Sequence, residues 1–239
     1  MVLVVGLGRL GRSLVTSLSR AGHEVLAIDL DNARVKMVAD EITQAVQGDA
    51  TQEDVLREMG ASRCDIAFIA VGENVESSVM STILLKNLGV KRVVARAMSD
   101  LHGSILEKIG ADTVVYPLRD MGFRMAHTAT LTGVSDYMQI APGFGIARLD
   151  APPVLVGKNL EAFGFGQKER RSLAFSILQR GKEIIVNPSL KEIIREGDTL
   201  VIIGRDDDLE ELLAEARNQF EEEAREDKNG KPAETDKKH

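Results

Sequence analysis

Gly6, Gly8 and Gly11 stand in the spacing Gly-x-Gly-x-x-Gly within Gly6-Leu7-Gly8-Arg9-Leu10-Gly11. The motif follows the apolar run Val2–Val5 and opens a stretch with Leu14, Val15 and Leu18 at helical spacing. In such a strand–turn–helix, Gly6 permits the tight turn, Gly8 lets the backbone approach a phosphate, and Gly11 lets the helix pack on the sheet. The free N–H groups of the helix start, Leu10 among them, then face the phosphates. The chemistry implied is the binding of a phosphorylated nucleotide.

Asp29 ends the next apolar run, Val25-Leu26-Ala27-Ile28-Asp29. A carboxylate there accepts both ribose hydroxyls and favours a ribose without a 2′-phosphate. Alternatively Asp29 or Asp31 caps the following helix, a role that Asp31 suits better. Arg9 adds a cation at the centre of the glycine loop, and Arg96 adds another at the end of a later strand. Two cations at one edge of the sheet suit ATP or ADP at least as well as NAD, unless both are solvated surface charges.

The elements that must position these groups alternate. Short apolar runs at Val2–Val5, Val25–Ile28, Ala45–Val46, Ile66–Val71, Val93–Ala95 and Val114–Val115 suit strands buried on both faces of a parallel sheet. Helical stretches near 9–21, 32–40, 51–59, 74–88 and 100–109 separate them, several ending at a glycine. This pattern predicts an α/β fold with a Rossmann-like, doubly wound parallel sheet of about six strands over residues 1–132. A helix over about 119–131 carries apolar groups on more than one side. It is either buried in its own domain or a crossover helix pressed against a second subunit. Residues 133–153 read as a linker region with a short strand or two, and 154–216 as a small α+β domain. Residues 217–239 are almost all polar or charged and read as a disordered tail.

Composition narrows the function classes. A net charge of −7, 4% aromatics and no tryptophan argue against nucleic acid as a partner. The single cysteine, Cys64, allows no internal disulfide and no multi-cysteine metal site. No leader or membrane-length apolar run is present, so the expectation is a soluble, cytoplasmic protein. His23 and His239 are not placed for chemistry, and His102 and His127 lie on helices where a surface or core histidine is the usual case. A small NAD(P)-dependent oxidoreductase is therefore the alternative reading, and it lacks an evident acid or base.

Further motifs give the chain a family likeness. The glycine loop, Gly22-His23-Glu24-Val25-Leu26-Ala27-Ile28-Asp29, Gly48-Asp49-Ala50-Thr51, Ile69-Ala70-Val71-Gly72-Glu73-Asn74 and Leu106-Glu107-Lys108-Ile109-Gly110-Ala111-Asp112 come in an order and spacing that resemble the regulator-of-K⁺-conductance (RCK) domain. Pro117-Leu118-Arg119-Asp120-Met121-Gly122 resembles the start of that family's crossover helix. Within it, the chain is most similar to the TrkA- and KtrA-like regulatory subunits of Trk/Ktr potassium uptake systems, with TrkA-N and TrkA-C domains. The likeness covers residues 1 to about 215 and is looser in the second domain, where Ile185-Val186-Asn187-Pro188 and the stretch Glu196–Gly204 carry it.

The resemblance implies a regulatory subunit and not a catalyst. Members dimerise through the crossover helix and form octameric rings under a membrane K⁺-translocating subunit. ATP, ADP or NAD(H) in the first domain changes the ring and gates K⁺ flux. By position, Asp29 would hold the ribose, Asp49, Ala50 and Thr51 would border the adenine, and Arg9 would meet the terminal phosphate, with Gly72, Asn74 and Arg96 nearby. Glu107 matches a position that in some members lies near a divalent cation, such as Mg²⁺ or Ca²⁺, at a neighbouring subunit's nucleotide; a solvated helix carboxylate is the other reading. In some members the second domain binds cyclic di-AMP, near positions matching Asn187, Pro188 and Arg171. The segment 168–173 departs from the family pattern, and a plain turn explains Asn187-Pro188 as well.

Overall fold

The computed structural model describes residues 1–130, 133–163 and 173–214. Arg171, the rest of the segment 168–172 and the tail 217–239 lie outside the described residues. The chain divides into two compact units, Met1–Arg119 and a second beginning at Asp120.

The first unit is a six-stranded parallel sheet in the order β3-β2-β1-β4-β5-β6. The strands are β1 Val2–Val5, β2 Val25–Asp29, β3 Gln44–Gln47, β4 Ile66–Ile69, β5 Arg92–Arg96 and β6 Thr113–Val115. Helices α1 Arg9–Arg20, α2 Asn32–Lys36, α3 Glu53–Glu58, α4 Val75–Asn87 and α5 Asp100–Lys108 connect them. Because side chains alternate along a strand, β1 feeds two cores. Leu3 and Val5 join Ile28, Ile69, Leu85 and Leu106 on the face covered by α3, α4 and α5. Val4 joins Val15, Ala27 and Val35 on the face covered by α1 and α2. A strand buried on both sides has no polar side to show, which is why the sequence reads as an unbroken apolar run. The strand order reverses at β1, whose neighbours are β2 and β4, with Val5 level with both Ile28 and Ile69. The loops after β1 and β4 therefore part company and leave a crevice at the carboxyl edge.

Helix α6, Pro117–Thr130, starts in the first unit and runs into the second. None of its residues is buried, and Leu118, Met121 and Met125 are exposed. The reading that buries this helix within its own domain is thus overturned. Its later turns are held within the second unit. The Arg124 guanidinium donates to both carboxylate oxygens of Asp136 at 2.8 and 2.7 Å. His127 stacks on Tyr137 with ring centroids 4.4 Å apart.

The second unit is an antiparallel sheet in the order β10-β9-β11-β8-β7. Its strands are β7 Val134–Ala141, β8 Phe144–Asp150, β9 Leu173–Arg180, β10 Glu183–Val186 and β11 Thr199–Arg205. Residues 206–214 form a helix. Tyr137, Leu149, Leu155, Leu178, Leu200 and Leu212 pack together as its core. The stretch 133–153, expected as a linker with a short strand or two, carries β7 and β8 joined at Pro142-Gly143. The pairing slips at Val134/Asp136 and again at Gln139/Ala141, which breaks the period-two pattern that marks a strand in sequence. No described helix is long and apolar enough to cross a membrane.

Candidate functional site

The crevice at the carboxyl edge of the first sheet is a cleft of about 1000 Å³. The glycine loop forms one wall. Gly6 sits at φ +89°, a left-handed conformation that strains any residue with a Cβ. A Cβ on Gly11 would stand 1.8 Å from the Gly6 carbonyl oxygen, so only glycine lets α1 start this close to the turn. A Cβ on Gly8 would meet nothing within 4 Å, because its face opens into the cleft. Gly8 also caps α1 with its backbone alone, and the first turn holds no acidic residue. The first bond of the helix runs from Arg12 N–H to Gly8 O at 2.9 Å, so the preceding N–H groups have no acceptor within the helix.

Asp29 forms the second wall. Its Oδ2 accepts from Leu7 N–H at 2.6 Å and its Oδ1 from Asp31 N–H at 2.8 Å. Arg34 Nη1 lies 3.8 Å from Oδ2. Asp31 is the residue that caps α2, accepting from Ala33 N–H at 2.8 Å. The carboxylate of Asp29 is left at the mouth of β2 with its orientation fixed by backbone donors.

The loop after β3 supplies the floor. Asp49 Oδ1 accepts from the Thr51 N–H at 2.9 Å and from the Thr51 hydroxyl at 2.8 Å, and these bonds hold its pKa below the ordinary carboxylate value. Ser81 of α4 donates to Ala50 O at 3.2 Å and ties this loop to the helix behind it. On the β4 side, Asn74 caps α4 by accepting from Ser77 N–H at 2.9 Å. The Arg96 guanidinium lies over Gly72, where a Cβ would come within 2.6 Å of it.

The structure thus brings Gly6, Gly8, Arg9, Leu10, Asp29, Asp49, Ala50, Thr51, Gly72, Asn74 and Arg96 to one cleft, with Gly11 packed beneath it. It also places Arg12, Arg34 and the exposed side chains of Leu30 and Met37 there, which the sequence reading did not single out. Arg12 follows Arg9 by three positions at a helix start, a spacing that could have flagged it. Glu107 is exposed on α5 and is not part of the cleft wall. Among the described residues no group of three or more His, Cys, Asp or Glu lies together as a metal site, and Glu107 belongs to none. Asn187 is exposed in a left-handed turn at φ +49°, and Pro188 beside it is buried. His102 is buried on α5; its Nδ1 accepts from Met98 N–H at 3.3 Å, and its Nε2 has no partner among the described residues. Burial pulls its pKa below the ordinary histidine value.

Uncapped donors at a glycine turn, cations beside them and a fixed carboxylate at the next strand form a set that fits an adenine nucleotide. The sequence comparisons agree with that geometry. Residues 2–117 match the TrkA-N domain and residues 146–217 the TrkA-C domain. The chain is 37% identical over 201 residues to the Ktr system potassium uptake protein C of Bacillus subtilis, covering 84% of this chain and 90% of that one. It is 33% identical to the Ktr system potassium uptake protein A of the same organism, covering 86% and 92%. Among solved structures it resembles the RCK domain of GsuK, with a TM-score of 0.60 at 19% identity over 87% of this chain and 45% of that chain. It also resembles the GsuK channel bound to NAD, with a TM-score of 0.61 at 18% identity over 89% and 38%. At these identities the structural likeness speaks to fold.

Proposed function

We propose a function from the premise that the chain belongs to the TrkA-N/TrkA-C family of potassium uptake proteins. It is a cytosolic regulatory subunit that binds an adenine nucleotide and controls K⁺ flux through a separate membrane subunit. One observation carries the nucleotide part: the uncapped start of α1, with its glycine face open, shares a cleft with the oriented carboxylate of Asp29. The named relatives carry the potassium part.

In this reading the N–H groups of Gly8, Arg9, Leu10 and Gly11 hold the phosphates and Asp29 accepts the ribose hydroxyls. Asp49 to Thr51 border the base. ATP, ADP and NAD(H) all present these groups. A bound nucleotide shifts a shape equilibrium only by binding one shape better than another, and an assembly of several copies multiplies that difference. Exposed Leu118, Met121 and Met125 on α6 give a second copy an apolar face to cover. A homodimer through α6, built into a ring beneath the membrane subunit, is the assembly that follows. The second-ligand role of Asn187 and Pro188 and the cation role of Glu107 form no part of it.

The test is calorimetric titration of the purified chain with ATP, ADP, NAD⁺ and NADH, with and without Mg²⁺. Saturable binding that is lost in Asp29→Ala supports the reading. A chain that binds none of the four contradicts it.

A further inference from the structure

Arg9 and Arg12 stand three positions apart in the first turns of α1, so they share one side of the helix. Both are exposed, and both line the cleft. Among the described residues neither guanidinium forms an ion pair, whereas Arg34 in the same cleft lies near Asp29 and Asp31. A cation at a helix start faces the positive end of the peptide dipole, where it is disfavoured. Two other helices opening at this edge of the sheet are built the opposite way. α4 has the Asn74 cap with Glu76 in its first turn, and α5 has the Ser99 cap with Asp100. Two arginines at the uncapped start of α1, beside the open face of Gly8, put two cations at the positive end of the helix, neither held in an ion pair among the described residues.

We infer that Arg12 is a second phosphate-binding residue of the cleft, acting with Arg9 to bracket the end of a nucleotide's phosphate chain. This rests on the reading that the cleft binds an adenine nucleotide, and it names the ligand class as a nucleoside di- or triphosphate. The chemistry separates the candidates. A nucleoside triphosphate ends in a dianionic phosphate with free oxygens, which two guanidinium forks can share. Both phosphates of a dinucleotide are esterified, and its second ribose continues the chain past the pyrophosphate. Charged forks at that point meet a neutral sugar and gain little. The affinity of the cleft therefore rises with the number of phosphates, and Arg12 is responsible for part of the rise.

The test uses the full chain titrated with AMP, ADP, ATP and NAD⁺ in wild type, Arg12→Ala and Arg12→Glu. Arg12→Ala is expected to weaken ATP about tenfold, the scale of one charge-assisted hydrogen bond, to weaken ADP less, and to leave AMP and NAD⁺ unchanged. Arg12→Glu is expected to raise the melting temperature of the nucleotide-free chain, because it puts an anion near the helix start, while losing ATP further. A purely structural role for Arg12 predicts the reverse: lower melting temperatures and an equal loss for all four ligands. ATP binding indifferent to Arg12→Ala, an equal loss for all four, or a wild type that prefers NAD⁺ to ATP overturns the inference and leaves the nucleotide reading standing. A wild type that binds none of the four overturns both.

Discussion

The backbone N–H of Leu7 donates to Asp29 Oδ2 at 2.6 Å, so the glycine turn and the carboxylate at the end of β2 are one unit. Asp29 is mostly buried, and its other oxygen is held by Asp31 N–H. The glycine turn and the carboxylate, which the proposed function assigns to phosphate and ribose, are therefore coupled through this bond.

Asp29→Ala removes the carboxylate that the proposed function assigns to the ribose and leaves Leu7 N–H without its partner. Hydrogen bonds to charged groups contribute about 1.5–3 kcal/mol each, so nucleotide affinity is expected to fall roughly tenfold to a hundredfold. The nucleotide-free chain is expected to lose about 1–3 kcal/mol from the orphaned N–H, read by urea unfolding. Unchanged affinity would show that the ribose lies elsewhere.

The two glycines that flank the start of α1 are expected to separate stability from binding. Gly11→Ala drives a Cβ into the Gly6 carbonyl and should cost more than about 2 kcal/mol, because backbone and not a flexible side chain must give way. Gly8→Ala has open space and an ordinary φ of −64°, so its melting temperature should barely change. Its methyl group would project into the cleft where the proposed function puts phosphate, and nucleotide affinity should drop about tenfold or more. Equal effects of the two variants on melting and binding would contradict this division.

His102 gives the first unit a pH dependence of known sign. Burial lowers its folded pKa, so in acid the unfolded chain takes up a proton that the folded chain refuses. Its contribution to stability is complete above the unfolded value of about 6.5 and is lost as pH falls from there toward the lowered folded value. The melting temperature of the nucleotide-free chain should fall between about pH 7.5 and about pH 5.5, and His102→Gln should flatten that slope. An identical slope in the variant would assign the pH dependence to other groups.

In the second unit, buried Asp198 accepts from Arg180 at 2.9 and 2.8 Å and from Arg195 N–H at 2.8 Å. Burial opposes its charge, but these bonds outweigh burial and leave its pKa below the ordinary carboxylate value. The stability they confer is present above the unfolded value of about 3.9 and is lost as pH falls through the lowered folded one. Arg180→Ala strands a buried carboxylate and should cost roughly 3 kcal/mol at neutral pH, with a smaller cost in Asp198→Asn. Urea unfolding of the two variants reads the difference.

How far the sequence discloses all this depends on burial. The parallel strands were legible because β1 and β2 are buried on both faces and leave apolar runs that little else explains. The placement of Gly6, Gly8 and Asp29 at the sheet edge was legible because it is set by local turn geometry at a fixed spacing. β7 and β8 were not, because their register slips erase the alternation a strand needs to be seen. For Arg12 only its three-residue spacing from Arg9 at a helix start gave a hint. Arg34 and Met37 were missed because nothing local marks an exposed arginine or methionine as facing a cleft. That follows from the topology, which sets α1 and α2 beside the point where the strand order reverses.

The most direct measurement is K⁺ flux into proteoliposomes that hold the membrane K⁺ subunit of the same organism, with the purified chain added on the cytosolic side. The account predicts that flux changes on exchanging one adenine nucleotide for another with the wild-type chain. It predicts no such change with Asp29→Ala, although that variant still associates with the vesicles. Flux that is the same with and without the chain, or the same in every nucleotide, would contradict it.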